Sequence, residues 1–335
     1  MTQPVSRRRF AAMTAATFAS IGIVRAPARA AQFSFRYGND QSTSSPVTIR
    51  AIEMWKAIEH ETGGRLVVQT FPDSQLGGDT QMISQLRSGA LHFLTEAGIV
   101  LGNVVPVAQL EGIAFAFKDE QTAFAAMDGT LGEIVREEIG KRGIYAFANP
   151  WDNGFREITA NKPVRTASDL DGLKIRVPAS PLSVDLFKTL GAAPTPLNVS
   201  ELYPALQTHV VDGQENALIN INQSKLYEVQ KTLNFSNHSW SCWWFLANQD
   251  AWNSLPPDIQ QIVSRNVTKY AKLQRRDFAQ LTNSLTEKLR GQGMQVYNCD
   301  VPTFKERLKP YYAKWKGELG SKAWGVLEQY SGPLA

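Results

Sequence analysis

The chain has 335 residues, with 35 Lys and Arg against 31 Asp and Glu, four His, two Cys and 43% hydrophobic residues. These values exclude a disordered, collagen-like or disulfide-stapled chain and point to a folded protein large enough for two domains. The formal charge of +4 misleads, because residues 1–30 hold five Arg and no acid, leaving 30 basic against 31 acidic residues beyond them. No case remains for a nucleic-acid or anionic-membrane partner.

Ser6-Arg7-Arg8-Arg9-Phe10, the Ala-rich apolar run Ala11 to Val24 and the small-x-small site Ala28-Arg29-Ala30 follow in the order of a secretory signal with a twin-arginine look. The expectation is cleavage after Ala30 and export to the periplasm. No Cys follows the site to carry a lipid, and no later run approaches the eighteen or so apolar residues of a membrane span.

Beyond the signal, strand and helix alternate. Phe33, Phe35 and Tyr37 share one strand face, Pro46 opens a helix with Ile49, Ile52, Trp55 and Ile58 on one stripe, and Gly63-Gly64 ends it. Leu66 to Phe71 reads as a strand, Gly77-Gly78-Asp79 leads into a helix through Met82, Ile83 and Leu86, and Leu91 to Thr95 reads as a third strand. That β-α-β-α-β order implies a parallel sheet with helices on its faces. Short strands are expected at Gly143 to Ala148, Arg156 to Ala160, Leu173 to Val177 and Val210 to Val211, separated by helices such as Pro181 to Leu190 and Ser200 to Leu206. From Pro256-Pro257 nothing breaks a helix until Gly291, with Ile259, Ile262, Val263, Tyr270, Phe278, Leu281, Leu285 and Leu289 apolar. At 1.5 Å per residue that helix is roughly 50 Å long, enough to bridge two lobes. Its apolar spacing keeps no strict heptad.

Enzyme chemistry finds no footing. There is no GxSxG elbow, no Cys with a recognisable His partner, no phosphate-cradling GxGxxG or GxxxxGK[ST], and no HExxH or CxxC; no cofactor or metal is expected. Cys242 and Cys299 either pair in an oxidising compartment or remain independent buried thiols. Three segments carry more. In Gly172-Leu173-Lys174-Ile175-Arg176-Val177-Pro178, alternation sends Leu173, Ile175 and Val177 to the core and Arg176 to the other face. There Arg176 either meets solvent or grips a carboxylate through two parallel hydrogen bonds. Arg156, in Asn153-Gly154-Phe155-Arg156, is a second candidate whose facing alternation leaves open. Val211-Asp212-Gly213-Gln214-Glu215-Asn216 runs a strand into a turn at Gly213 and then into amides, suited to a neutral hydrogen bond with a ligand or to helix capping. In Ser239-Trp240-Ser241-Cys242-Trp243-Trp244-Phe245, Trp240 and Trp244 share one strand face and Trp243 and Phe245 the other, one pair for core and one to line a cavity.

The order of Phe71-Pro72-Asp73-Ser74-Gln75-Leu76-Gly77-Gly78-Asp79, Gly172 to Pro178, Pro196-Leu197-Asn198-Val199-Ser200-Glu201-Leu202-Tyr203-Pro204-Ala205-Leu206-Gln207 and Val211 to Asn216 resembles the solute receptors of tripartite ATP-independent periplasmic (TRAP) transporters, the DctP family. The resemblance implies an α/β, two-lobed, periplasmic-binding-protein-like fold with a ligand cleft between the lobes and a long helix spanning both. Lobe I would take 31–153 and about 242–281, and lobe II 154–241 and about 282–335. It implies a monomer that delivers a small organic carboxylate to small and large (DctQ- and DctM-like) membrane subunits. It assigns the carboxylate clamp to Arg176, a second arginine to Arg156 and an amide ligand to Asn216. Val199 or Asn198 lies against the ligand, where many relatives carry Phe. Asn39, Asp40 and the stretch Thr95 to Ala97, with Glu96, match cleft loops of the opposite lobe. Two arginines would suit a C4-dicarboxylate, and a sugar acid is a further alternative. The ring surface of Trp151, Trp240 and Trp243 favours an aromatic or hydroxy/keto monocarboxylate. The rival classes are a twin-arginine-exported enzyme, which lacks a nucleophile or cofactor motif here, and a stand-alone scavenger or sensor.

Overall fold

The computed structural model describes residues 31–334, and the segment expected to be a secretory signal lies outside them. Strand β1 (Phe33–Gly38) pairs in parallel with β2 (Leu66–Phe71) and with β3 (Phe93–Ala97). The crossovers are helices α1 (Pro46–Glu61) and α2 (Asp79–Ser88). Ser45 caps α1 by accepting from the Val47 amide, Pro46 fills its first turn, and Val47, Ala51, Met54, Trp55 and Ile58 form its buried stripe. Ile49, expected on that stripe, faces out at 43% exposure.

The remaining strands are β4 (Ile144–Ala146), β5 (Trp151–Ala160), β6 (Lys174–Val177), β7 (Ala193–Pro196), β8 (Gly213–Ala217), β9 (Thr232–Asn248) and β10 (Gln295–Asn298). They form one ten-stranded sheet with central order β2-β1-β3-β9-β5-β8-β6-β7. β9, with 17 residues, is the spine. Its C-terminal part runs antiparallel to β3 and β4, and its N-terminal part runs beside β10 and β5. Two parallel α/β units, one ending at β3 and one at β8-β6-β7, are thus joined through β5 and β9, the two-lobed arrangement expected. β5 changes register against β9 between Asp152 and Gly154 and again between Arg156 and Ile158. These irregularities bend a strand and aim its side chains, and they flank Arg156.

Two local expectations are corrected. Val210 and Val211 form no strand; β8 starts at Gly213, so the supposed turn residue is the first of the strand and the amides that follow lie within it. Leu281, counted with the apolar stripe of the long helix, is 42% exposed. That helix spans Pro257–Gly291, 35 residues, and crosses both units. Arg50 of α1 binds Asp277 at 2.5 Å, Gln274 pairs with the backbone N–H and C=O of Asp152 at 2.8 Å each, and Phe278 lies against Gly154, whose φ of +85° only glycine adopts freely. Leu285 and Leu289 carry its buried face onward. Both cysteines are free: Cys242 donates its thiol to Glu111 at 2.7 Å and Cys299 to the Val164 carbonyl at 3.1 Å. No helix among the described residues is long and apolar enough to cross a membrane.

Candidate ligand-binding site

In open α/β sheets ligands bind in the crevice outside the carboxyl ends of the strands. Here β1 ends beside Asp40, β3 on Glu96 and Ala97, β6 just after Arg176, β7 just before Val199, and β8 on Asn216. All of these residues line one cavity with Asp79, Arg156, Asn153, Asn220 and Trp243. Seven of the sequence-predicted site residues therefore come together: Arg176, Arg156, Asn216, Trp243, Asp40, Glu96 and Val199. The free space among them is only about 30 Å³, room for about one water. An acid of several carbons enters only when the walls part. A larger surface groove, about 700 Å³ beside Tyr203, His209 and Tyr227, gathers no buried arginine.

The two arginines stand in different electrostatic situations. Arg156 lies on β5 and is almost wholly buried; its Nε reaches Glu215 Oε2 at 2.5 Å and its Nη2 reaches Glu215 Oε1 at 2.9 Å. His238 Nε2 stands 3.0 Å from the same Oε2. Burial alone would raise the Glu215 pKa, but the Arg156 charge and the His238 hydrogen bond outweigh it and hold the carboxyl well below its usual range. Arg156 is thus already neutralised by a forked ion pair. Arg176 is equally buried, at 2% exposure, so the solvent-facing reading fails. Its Nε and Nη2 donate to the Leu197 carbonyl at 3.0 and 2.6 Å, and no carboxylate among the described residues forms an ion pair with it. Burial draws its pKa down to about 10, against the attraction of Glu215 and Asp79, so it remains charged at neutral pH.

Facing Arg176 are three carboxyls. Burial and the neighbouring Asp79 push Asp40 up to about 7. Burial also raises Asp79, opposed by Arg176, and it raises Glu96 well above the carboxylate range, reinforced by Asp79 and Asp40. Opposite them runs a chain of amides. Asn153 Nδ2 donates to Ser241 Oγ at 2.7 Å, and Asn220 Nδ2 donates to Asn153 Oδ1 at 3.0 Å and to Asn216 Oδ1 at 2.7 Å. With its oxygen so engaged, Asn216 can offer a ligand its amide N–H group.

Three predicted residues stand elsewhere. Trp240 is core: its ring meets Phe117 and Phe124 edge-on at 5.9 and 5.5 Å. Trp151 is fully buried against Phe245 at 5.5 Å. Asn39 is also fully buried and ties the loop together, donating to Tyr37 Oη and accepting from the Gln41 amide and Thr48 Oγ1. The alternation argument placed Trp243 opposite Trp240 but held no information on which face meets the cleft. Asp79, Asn153 and Asn220 were missed as site residues. Asp79 reads locally as a helix start, and only the four-residue spacing of Asn216 and Asn220 hinted at a pair on one side.

The pattern of bacterial extracellular solute-binding proteins of family 7, DctP, matches residues 37–318. The chain belongs to that family. Among DctP-family relatives, the 2,3-diketo-L-gulonate-binding periplasmic protein YiaO of Escherichia coli is 30% identical over 277 residues, 82% of this chain and 84% of its own. An uncharacterized Sinorhizobium fredii protein, y4mM, is 34% identical over 265 residues, 78% of this chain, which spans about half (49%) of that relative's length. The crystal structure of a TRAP periplasmic solute-binding protein from a Polaromonas species bound to D-erythronate superposes with a TM-score of 0.85 at 30% identity, covering 88% of this chain and 98% of the other. As a member of that family the protein is a bacterial extracellular solute-binding protein, not an enzyme.

Proposed function

We propose that this receptor binds a small hydroxylated monocarboxylic acid between the lobes, with Arg176 taking the carboxylate and Arg156, Asn216, Val199 and Trp243 framing it. The observation that carries this reading is the asymmetry of the two arginines. Arg156 is paired with Glu215, whereas Arg176 donates to the Leu197 carbonyl and has no ion-pair partner among the described residues, so the cleft offers one unpaired guanidinium for one carboxylate. A dicarboxylate would need the second arginine to leave Glu215. Of the three rings that would favour an aromatic acid, Trp151 and Trp240 lie in the core and Trp243 alone meets the cavity. The names of YiaO's ligand and of the Polaromonas ligand, both hydroxylated acids, agree with this choice.

Delivery runs from the periplasm to small and large TRAP membrane subunits, after export through the segment 1–30. The closing elements are the lobes formed by 31–153 with about 242–281 and by 154–241 with about 282–335. The test is isothermal titration of residues 31–335 and of Arg176→Ala against hydroxy acids, dicarboxylates and aromatic acids. Micromolar or tighter binding of hydroxy acids, lost in Arg176→Ala, is expected. Preference for a dicarboxylate or an aromatic acid, or retention of binding without Arg176, overturns the reading.

A further inference from the structure

Three carboxyls and one unpaired guanidinium share a cleft that is shut. The first turns of α2 and of the helix Val199–Gln207 meet across it: Asp79 Oδ2 accepts the Val199 N–H at 3.3 Å, and Asn198 Oδ1 accepts from the N–H and hydroxyl of Thr80 at 3.3 and 3.4 Å. Asp79 and Glu96 are 3% and 1% exposed, and Asp40 lines the same cavity, whose free space holds about one water. Glu96 is the least supported of the three. Its Oε1 accepts the Ala97 N–H at 2.9 Å, and its Oε2 is buried without a hydrogen-bond partner among the described residues. The charges that bear most on it are all carboxyls: Asp79 of α2, Asp40 beyond β1 and Glu111 of the turn Pro106–Gly112. Glu111 is occupied by the Cys242 thiol and the Trp244 indole, at 2.7 and 3.2 Å, and Glu201 adds its charge beside Asp79. Of the cations, Arg156 is paired with Glu215, which also holds His238, and only Arg176 is left.

A ligand carboxylate at Arg176 adds a further negative charge to this one guanidinium, in a space from which water is excluded. Burying an ionised carboxylate without a partner is so costly that the group neutralises instead. No three His, Cys, Asp or Glu side chains among the described residues are placed to hold a metal ion, so the balance is not restored that way. A proton restores it and needs no room. We propose that the receptor binds its acid together with a proton, taken from solvent by the cluster of Glu96, Asp40 and Asp79 as the cleft closes, with Glu96 as its first site. The inference rests on the Arg176 reading above and adds to it a second, co-bound species. In an open cleft these carboxyls meet water and ionise in the ordinary range, and closure raises them. A group whose pKa is higher in the closed complex favours that complex at low pH, and its contribution is lost as pH rises through the closed-state value. Affinity therefore falls with rising pH, about tenfold per unit for each proton taken up. A free acid ionises near pH 3.5–4, about where an α-carboxyl does, so above pH 6 the ligand itself neither takes nor gives a proton.

The experiment titrates D-erythronate and D-galactonate calorimetrically into the wild type, Glu96→Gln, Asp40→Asn and Arg176→Ala between pH 6 and 8. Each titration is run in phosphate, Hepes and Tris, whose heats of ionisation differ, so the dependence of the observed heat on the buffer counts the protons taken up. The wild type should take up about one proton per ligand near pH 6.5 and lose roughly tenfold in affinity per pH unit above it. Glu96→Gln keeps the shape of the side chain and removes its titration; it should take up fewer protons and show a flatter affinity profile. His238 is present in both proteins and drops out of that comparison. Thermal melting of each ligand-free variant controls for folding, and Asp40→Asn serves the same comparison should the Glu96 variant not fold. Binding without proton uptake and with pH-independent affinity overturns the proposal and leaves the Arg176 reading standing, as does uptake unchanged in the variants. Tighter binding of 4-aminobutanoate than of either hydroxy acid, without proton uptake, also overturns it, because an ammonium group then supplies the missing charge. Failure of the wild type to bind any of these acids, or binding that survives Arg176→Ala, removes the parent reading and this one with it.

Discussion

Gly78→Ala isolates the closed cleft from the stability of the fold. Gly78 precedes α2 with φ −69° and ψ 171°, which alanine adopts without strain, so nothing in the backbone demands glycine. What demands it is Asn198. A Cβ added at position 78 would lie 2.8 Å from Asn198 Cγ and 3.0 Å from Nδ2, against about 3.5–4.0 Å for an ordinary contact. Asn198 cannot swing aside freely, because its Oδ1 holds Thr80 and its Nδ2 donates to Glu201 at 3.1 Å. Relief means losing those bonds or opening the cleft by an ångström or so. Overpacking of this kind costs about 1–3 kcal/mol, and here it falls on the closed state alone. Converted at RT, that weakens ligand affinity about 5- to 150-fold, mainly through faster dissociation. Replacing an N-cap glycine by alanine costs roughly 0.5–1 kcal/mol, offset by the smaller entropy of the unfolded alanine chain, so the ligand-free melting temperature should hold. Stopped-flow tryptophan fluorescence gives the rates and thermal melting the control. The double variant Gly78→Ala/Asn198→Gly should lose less than the sum of its parts, because the clash disappears. Unchanged dissociation in Gly78→Ala, or simple additivity in the double variant, would refute the idea that these residues touch in the bound form.

Trp240→Phe should lower stability by about 1–2 kcal/mol through its packing on Phe117 and Phe124 and leave ligand affinity unchanged, while Trp243→Phe should weaken binding; titration and melting of both variants separate the roles. Glu215→Gln leaves Arg156 buried beside a neutral amide and should cost about 3–5 kcal/mol at pH 7 by chemical denaturation. Because the Glu215 pKa is depressed in the fold, its stabilisation is present above the ordinary carboxylate range and lost as pH falls, so the variant should show a shallower acid-side loss. Glu157 has the opposite sign: burial, only partly offset by the Asn237 and Ser236 amides, raises it to about 8, so its contribution is full below the ordinary carboxylate range and lost as pH rises through about 8. Denaturation of Glu157→Gln at pH 5, 7 and 9 should show that decline flattened.

What the sequence discloses and what it withholds divide along a physical line. The strands, the crossover helices and the 35-residue helix follow from periodicity and breakers that act within a dozen residues, and the strand ends that gather the site follow from the parallel topology. Arg156 and Arg176 are both strand arginines, and local reasoning treats them as equals. What separates them is Glu215, 59 residues from Arg156 and held in turn by His238. Glu215 stands between Gln214 and Asn216, so alternation says that it faces away from its neighbours but not which cation it meets. Asp79 follows two glycines at the start of a helix, where a carboxylate is fully accounted for by the helix dipole. That its second partner would be an amide 120 residues downstream is a property of the closed cleft and of no shorter stretch of chain. The number of carboxylates a ligand can bring depends on the balance of charges left over after the fold has paired its own. The proposed class of ligand therefore rests on tertiary contacts, and the proposed clamp, Arg176, rests on the resemblance of its segment to the family and on its lack of an ion-pair partner, not on the spacing of its strand.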